Sequence, residues 1–82
     1  MINPEGWLLD PKRRWLLFFH RDPKSAQRLP LFYMDKWNVS PIGTPNTFFD
    51  RRKVHQGPAK ETWDELIQNG WERTQHQFGE AA

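Results

Sequence analysis

Residues 6–21 read GWLLDPKRRWLLFFHR, the densest apolar run of the 82-residue chain, with a charged, proline-containing segment in its middle. This pattern predicts a β-hairpin whose two strands are joined by the loop Pro11–Arg14. An isolated hairpin is marginal in water, so the rest of the chain must cover it. The register that this loop favours pairs Asp10 with Trp15. It also gives the cross-strand pairs Leu9–Leu16, Leu8–Leu17 and Trp7–Phe18.

Side chains alternate along a strand, so this register gives the hairpin two faces. One face carries Leu8, Asp10, Trp15, Leu17 and Phe19. The other, called the second face below, carries Trp7, Leu9, Leu16, Phe18 and His20. Both faces are apolar, which indicates burial on two sides, and a single helix covers one. The second face is covered by the loops 21–30 and 38–46, by curling of the sheet on itself, or by another chain. We expect the last, a protein-binding site formed by Trp7, Leu9, Leu16 and Phe18 and most simply a contact with another copy of this chain.

The rest of the chain predicts an α+β fold, an antiparallel meander of three to four strands with one C-terminal helix packed on one face. Leu31–Val39 is rich in strand formers and predicts the third strand. Thr47–Val54 is a weaker strand candidate, and its charged residues suit the edge of a sheet. We expect one small domain over residues 1–82, with a core at about residues 6–71.

The predicted helix runs from Pro58 to Asn69, because proline is tolerated in the first turn and an apolar stripe follows it. The stripe consists of Ala59, Trp63, Leu66, Ile67 and Gly70. Gly70 is a natural residue to end the helix, with Trp71 folding back on Leu66. The polar residues Glu72–Ala82 predict a loose tail.

Composition excludes several classes of protein. The chain has no cysteine, so it contains neither a disulfide framework nor a thiolate zinc site. No apolar run approaches the ~20 residues of a membrane span, and the first residues lack the pattern of a signal peptide. We expect a cytoplasmic protein. Five Trp, six Phe and one Tyr are the means by which so short a chain builds a core.

Charge is unevenly distributed around the net value of +2. Residues 1–53 contain ten Lys or Arg and five Asp or Glu, whereas residues 54–82 contain two and five. The basic half offers an alternative function, nucleic-acid binding, in which cations contact phosphates and Trp37 or Tyr33 stacks on a base. The candidate anion-binding residues are Lys12, Arg13, Arg14, Arg51, Arg52, Lys53 and Trp37. The other interpretation is that these charges only keep the protein soluble and prevent unwanted pairing at a sheet edge.

No catalytic constellation is recognisable in the sequence. His20, His55 and His76 are far apart and lack the spacing of a metal-binding motif. His20 ends a strand beside Asp22, which is placed to orient it for chemistry, but a histidine at a strand end more often forms a structural hydrogen bond. Neither serine lies in a nucleophile elbow, and no glycine-rich phosphate loop is present. We therefore expect a non-enzymatic protein without cofactor or metal.

A set of spaced residues resembles a small cyanobacterial family of unknown function. They are Gly6-Trp7-Leu8, Asp10, Trp15, Phe19-His20, Asp22, Arg51-Arg52-Lys53 and Trp63-x-Glu65-Leu66-x3-Gly70-Trp71. The resemblance covers roughly residues 6–71 and implies an intracellular bacterial setting without implying any chemistry. The chain departs from the family pattern at residues 55–58, His-Gln-Gly-Pro, just before the predicted helix.

Overall fold

The computed structural model describes residues 4–75, which form five strands and one helix. In chain order these are β1 (Gly6–Leu9), β2 (Trp15–Arg21), β3 (Leu31–Val39), β4 (Pro45–His55), α1 (Gln56–Gln68) and β5 (Glu72–Thr74). The strands make one antiparallel sheet in the order β4-β3-β2-β1-β5. The α+β fold with a C-terminal helix is confirmed, but the sheet has five strands and not the expected three to four.

The hairpin has the predicted register. The Asp10 N–H donates to the Trp15 carbonyl at 2.9 Å. The cross-strand pairs include Leu9–Leu16, Leu8–Leu17 and Trp7–Phe18. Within the loop, the Lys12 N–H donates to the Asp10 carboxylate at 3.2 Å, and the Arg13 N–H donates to the Asp10 carbonyl at 2.7 Å. Asp10 therefore closes the turn from both its side chain and its backbone, as short polar residues do in tight turns.

The helix packs on the face that carries Leu8 and Phe19. These two side chains are fully buried and form the core cluster with Met34 of β3. The Trp63 ring of α1 packs edge-on against Phe19, with the ring centroids 5.1 Å apart. Around this cluster lie the half-buried Leu17, Val54, Trp63, Leu66 and Trp71. The predicted stripe is thus confirmed at Trp63 and Leu66, whereas Ile67 is 40% exposed.

The helix begins at Gln56, two residues before the predicted start. A residue that precedes proline is normally kept out of the helical conformation, because its Cβ meets the proline ring. Here Gly57 precedes Pro58 and has no Cβ, so the helix extends back past the proline. His55 is the N-cap, without a side-chain capping bond.

The helix ends as predicted. Gly70 has a φ of +95°, which glycine adopts without strain. The Trp71 N–H donates to the Leu66 carbonyl at 3.0 Å and the Gly70 N–H to the Ile67 carbonyl at 3.1 Å. This pair of bonds is a Schellman motif, which satisfies carbonyls at the end of the helix and reverses the chain.

The fifth strand corrects the prediction of a loose tail. Glu72–Thr74 runs antiparallel to β1, with Leu9 opposite Glu72 and Trp7 opposite Thr74. The turn at Gly70 aligns these residues with β1, and backbone hydrogen bonds then hold them as a short edge strand. Such a strand needs no apolar pattern, and the polar sequence ERT shows none. The remainder of the predicted tail, residues 76–82, lies outside the described residues.

The turn at Gly70 also supports the contact between α1 and the hairpin. A Cβ at Gly70 would lie 3.3 Å from Cγ of Pro11, whereas a Cβ at Gly43, whose φ is +87°, would meet nothing within 4 Å. We expect Gly43→Ala to lower the free energy of unfolding by about 1 kcal/mol, the cost of a positive φ. Gly70→Ala must also displace Pro11, so its cost should be clearly larger.

Urea denaturation of the two variants and the unchanged protein measures this difference. Equal losses in the free energy of unfolding for Gly43→Ala and Gly70→Ala would contradict this prediction. They would show that Pro11 moves aside at no cost and that the helix end is not tightly packed against the hairpin loop.

Candidate functional site

The second face is largely closed by its own side chains. Trp7 is 3% exposed and Leu16 is fully buried, while Leu9 and Phe18 are half-buried. The Trp7 and Phe18 rings stack at 4.4 Å, and Trp37 lies at 6.5 Å from Trp7. Of the four expected protein-contact residues, Trp7 and Leu16 therefore have almost no accessible surface to contribute. That these four residues bind protein stays a prediction.

A buried carboxylate, Asp35, lies beside these rings on β3. Its side chain is 5% exposed and accepts three hydrogen bonds. The Nε and Nη2 atoms of Arg51 donate to its two oxygens at 2.7 and 2.9 Å, and Nε2 of His20 donates to Oδ2 at 2.8 Å. The bidentate arginine pair is the strong form of such a contact. Asp35 thus ties β2, β3 and β4 together across the sheet.

The same contacts determine the pKa of Asp35. Burial alone raises the pKa of this carboxyl, because it disfavours the charged form. The hydrogen bonds from Arg51 and His20, together with their charges, outweigh burial and hold the pKa below its usual value of 3.8. Asp35 is therefore an anion near neutral pH, which fits the cationic partners placed around it.

Aromatic rings support these polar groups. The His20 ring stacks on Phe18 at 4.5 Å and lies 5.3 Å from the ring of Tyr33. The guanidinium of Arg51 lies 4.1 Å from the centre of the Tyr33 ring, within the range of a cation–π contact. Polar and aromatic side chains thus alternate across this part of the sheet, which we call the Asp35 cluster: His20, Tyr33, Asp35 and Arg51.

A second buried carboxylate, Asp22, follows β2. The backbone N–H of Lys24 donates to its Oδ1 at 2.9 Å, and Nζ of Lys53 lies 3.6 Å from Oδ2. The Lys24 N–H is the main reason why the pKa of Asp22 is lowered, and the Lys53 charge and the Tyr33 hydroxyl add to it. Asp22, which the sequence offers as a residue to orient His20, is not its hydrogen-bond partner here, because Nε2 of His20 binds Asp35.

The basic run on β4 is divided between the two faces of the sheet. Arg51 pairs with Asp35 and Lys53 with Tyr33, so both lie on the second face, whereas Arg52 pairs with Met34 on the helix face. Arg51 and Lys53 are also engaged by Asp35 and Asp22. Strand alternation thus prevents these three cations from acting as one patch.

The other basic group, Lys12, Arg13 and Arg14, lies on the exposed loop of the hairpin. Arg14 precedes the pair Trp15–Asn38, whereas Arg51 is two strands away at the level of Asp35. At about 3.3 Å per residue and about 4.8 Å per strand, roughly 16 Å separates their Cα atoms. The two groups therefore lie at separate places along the sheet. Trp37, the expected stacking residue, is half-buried and packs against Phe48 at 5.4 Å.

The longest strand is β4, at one edge of the sheet, and most of its residues are exposed. It has 11 residues, whereas β5 at the opposite edge has three. A bulge interrupts its pairing with β3, so that Lys36 pairs with Asp50 and Trp37 pairs with Phe48. The extra residue, Phe49, is 61% exposed, and Phe48 is 45% exposed. Phe48 packs against Trp37 on the second face, and Phe49 packs against Trp15 on the helix face. Two partly exposed rings thus lie on either side of a sheet edge that is outside the expected contact residues.

The sequence reasoning missed Asp35 and Phe48–Phe49. Asp35 could have been found as a charge within a strand of large apolar residues, since a buried carboxylate requires cationic or hydrogen-bonding partners. Among residues 4–75, no group of three His, Cys, Asp or Glu side chains is placed to hold a metal ion. Within the same range, no helix is long and apolar enough to cross a membrane. His76 lies outside the described residues.

Comparison with known proteins identifies a family. A family model described as a protein of unknown function (DUF1651) matches residues 5–78. The chain belongs to this family. The resemblance to a family of unknown function is confirmed at this level, and the match extends past the predicted core into β5. No curated protein and no solved structure matches the chain.

The Asp35 cluster predicts how the stability of this DUF1651 protein depends on pH. The folded-state pKa of Asp35 lies below its usual value, so its ionised contacts stabilise the fold fully above about pH 4. This contribution is lost as the pH falls through the folded-state pKa. We expect Asp35→Asn to lower the free energy of unfolding at pH 7 by about 1–3 kcal/mol, since hydrogen bonds to a charged group are lost.

The measurement is urea denaturation of both proteins between about pH 7 and pH 2. The difference in the free energy of unfolding between the two proteins should narrow as the pH falls below about 4, because protonation of Asp35 removes the contacts that Asp35→Asn also removes. Asp50→Asn, an exposed position on β4, is the control and should follow the unchanged protein. A gap that stays constant down to pH 2 would contradict the assigned role of the Asp35 charge.

Proposed function

We propose that this protein is a non-enzymatic interaction module that associates with a second copy of itself along the edge strand β4. The observation that carries the proposal is the pair of exposed phenylalanines, Phe48 and Phe49, on the longer edge of the sheet. Burial of Trp7 and Leu16 shifts the proposed contact from the second face to this edge. The self-association expected from the sequence is retained, with a different surface.

The backbone of β4 supplies the attraction. Among the described residues β4 pairs only with β3, so its outer side presents N–H and C=O groups that another strand can bind. Antiparallel addition of a second β4 would extend the sheet through a two-fold axis. Strand addition of this kind derives affinity from backbone bonds and specificity from the side chains on either side.

The side chains of β4 suit an antiparallel partner of the same sequence. Its first half carries Phe48 and Phe49, and its second half carries Arg51, Arg52 and Lys53. An antiparallel arrangement places the aromatic half of each copy against the basic half of the other. Arg51 and Lys53 are held by Asp35 and Asp22, so Arg52 is the cation that supplies a cation–π contact. The chain already uses this contact internally, where Nζ of Lys36 lies 5.1 Å from the Phe49 ring centre.

The non-enzymatic part of the proposal is supported by how the polar groups of the Asp35 cluster are used. Both oxygens of Asp35 accept bonds from Arg51 or His20, and Arg51 also lies over Tyr33. Groups that bind one another in this way hold the sheet together. A substrate would have to displace them.

Sedimentation velocity over about 1–500 µM tests the association. We expect a concentration-dependent dimer, and we expect the double variant Phe48→Lys, Phe49→Lys to weaken it at least about tenfold, as loss of aromatic contacts at an interface does. Ile42→Lys is the matched control, because Ile42 is 84% exposed in the turn before β4. A protein that stays monomeric throughout, or an Ile42→Lys variant that dissociates equally, would overturn the proposal.

Nucleic-acid binding, the alternative function, retains one supporting feature, the exposed basic loop Lys12–Arg14. Gel-shift titration with single-stranded RNA at two salt concentrations tests it. If this loop contacts phosphates, affinity should fall steeply with salt, because bound counterions are released. Binding should also weaken when Arg13 and Arg14 are changed to Glu. Absence of binding at low salt would remove the alternative.

A further inference from the structure

A groove of about 260 Å³ opens on the helix face of the sheet, beside α1. The groove shares Arg52 with the proposed association of β4 edges, but its apolar lining comes from β2, β3, α1 and Trp71. It is lined by Trp15, Leu17, Met34, Lys36, Asp50, Arg52, Thr62, Leu66 and Trp71. Strands β2, β3 and β4 form its floor, and α1 with the residue after Gly70 forms one wall.

The floor and walls of the groove are apolar and partly aromatic. Leu17 and Leu66 pack against the buried core, and Met34 belongs to it, so the floor is fixed by the fold. Trp15 and Trp71 add two large rings. An apolar cavity of about 150 Å³ is large enough to bind benzene. The larger volume here suits a ligand with two fused rings.

The rim of the groove carries more positive than negative charge. Lys36 and Arg52 face Asp50 there. Nζ of Lys36 lies 4.2 Å from the Trp15 ring centre, so the ammonium is held beside the aromatic wall. Arg52 is exposed, and the alternation of β4 directs it to this face while Arg51 and Lys53 face the other. One anionic group on a ligand would leave the rim electrically balanced.

We propose that this groove binds a small aromatic monoanion, a carboxylate or sulfonate carried on a fused two-ring system such as naphthalene. The rings lie on the apolar floor between Trp15 and Trp71, and the anionic group meets Lys36 and Arg52. Ligand sites commonly combine an apolar cavity with a few polar groups that fix orientation. The arginine supplies a charge-assisted hydrogen bond to the anion, the stronger class of such bonds.

Fluorescence titration with 1-anilinonaphthalene-8-sulfonate tests the proposal, with N-phenyl-1-naphthylamine as the same ring system without the anion. We expect one saturable site for the sulfonate and weaker binding of the neutral amine. Arg52→Glu should weaken sulfonate binding about tenfold or more, the loss of one charged contact. Arg28→Glu, the same charge change in the exposed loop after β2, should leave it within about twofold.

A second variant and a second readout keep the test independent of folding. Thr62→Trp fills the groove from α1 and should abolish binding while the melting temperature stays near that of the unchanged protein. In a ¹⁵N–¹H spectrum, the indole signals of Trp15 and Trp71 should shift on titration, and the signal of Trp7 on the second face should not. Equal binding of amine and sulfonate would overturn the proposal. So would equal losses from Arg52→Glu and Arg28→Glu, or unchanged binding by Thr62→Trp. The comparison of sulfonate with amine and the Thr62→Trp variant change no residue of β4, so they separate failure of this proposal from failure of the β4 association.

Discussion

The register of β1 on β2 is the constraint on which the rest of the structure depends. Because side chains alternate along a strand, a slip of one residue would exchange the two faces of the hairpin. Asp10 fixes the register through its bonds to Lys12, Arg13 and Trp15 at the loop. The result directs Leu8 to the helix and Trp7 to the second face. The helix then meets the hairpin near Gly6, where a Cβ would lie 3.8 Å from Trp63, and at Gly70 beside Pro11.

The two faces are stabilised by different physics. On the helix face, burial of Leu8, Phe19 and Met34 provides a non-directional gain that grows with the apolar area removed from water. On the second face, stacked rings surround a carboxylate whose burial is unfavourable unless it is paired. Arg51 and His20 pair it and come from the strands on either side of β3. The second face is therefore sensitive to acid in a way that the apolar core is not.

Sequence reasoning predicted the elements whose cause is local. The hairpin register follows from an apolar run and a turn, the bounds of β3 follow from strand formers, and the helix end follows from Gly70. It missed β5, because a three-residue edge strand is held by the backbone of its neighbour and needs no side-chain pattern. It offered Asp22 as a neighbour of His20 along the chain, whereas Asp35 reaches His20 only through the pairing of β2 with β3. Contacts between distant positions depend on topology, which composition and spacing do not give.

The basic residues of β4 show the same dependence on topology. Their positions in the sheet indicate which of them are available to bind a ligand. Arg51, Arg52 and Lys53 are adjacent in sequence and suggest one cationic patch. In the sheet, Arg51 and Lys53 are committed to Asp35 and Asp22, where they offset the cost of burying two carboxylates. Arg52 alone turns to the other face, onto the rim of an apolar groove. A cation that is not required to pair with a buried carboxylate is available to a ligand. The face of the sheet that each cation occupies therefore decides whether its role is structural or in binding.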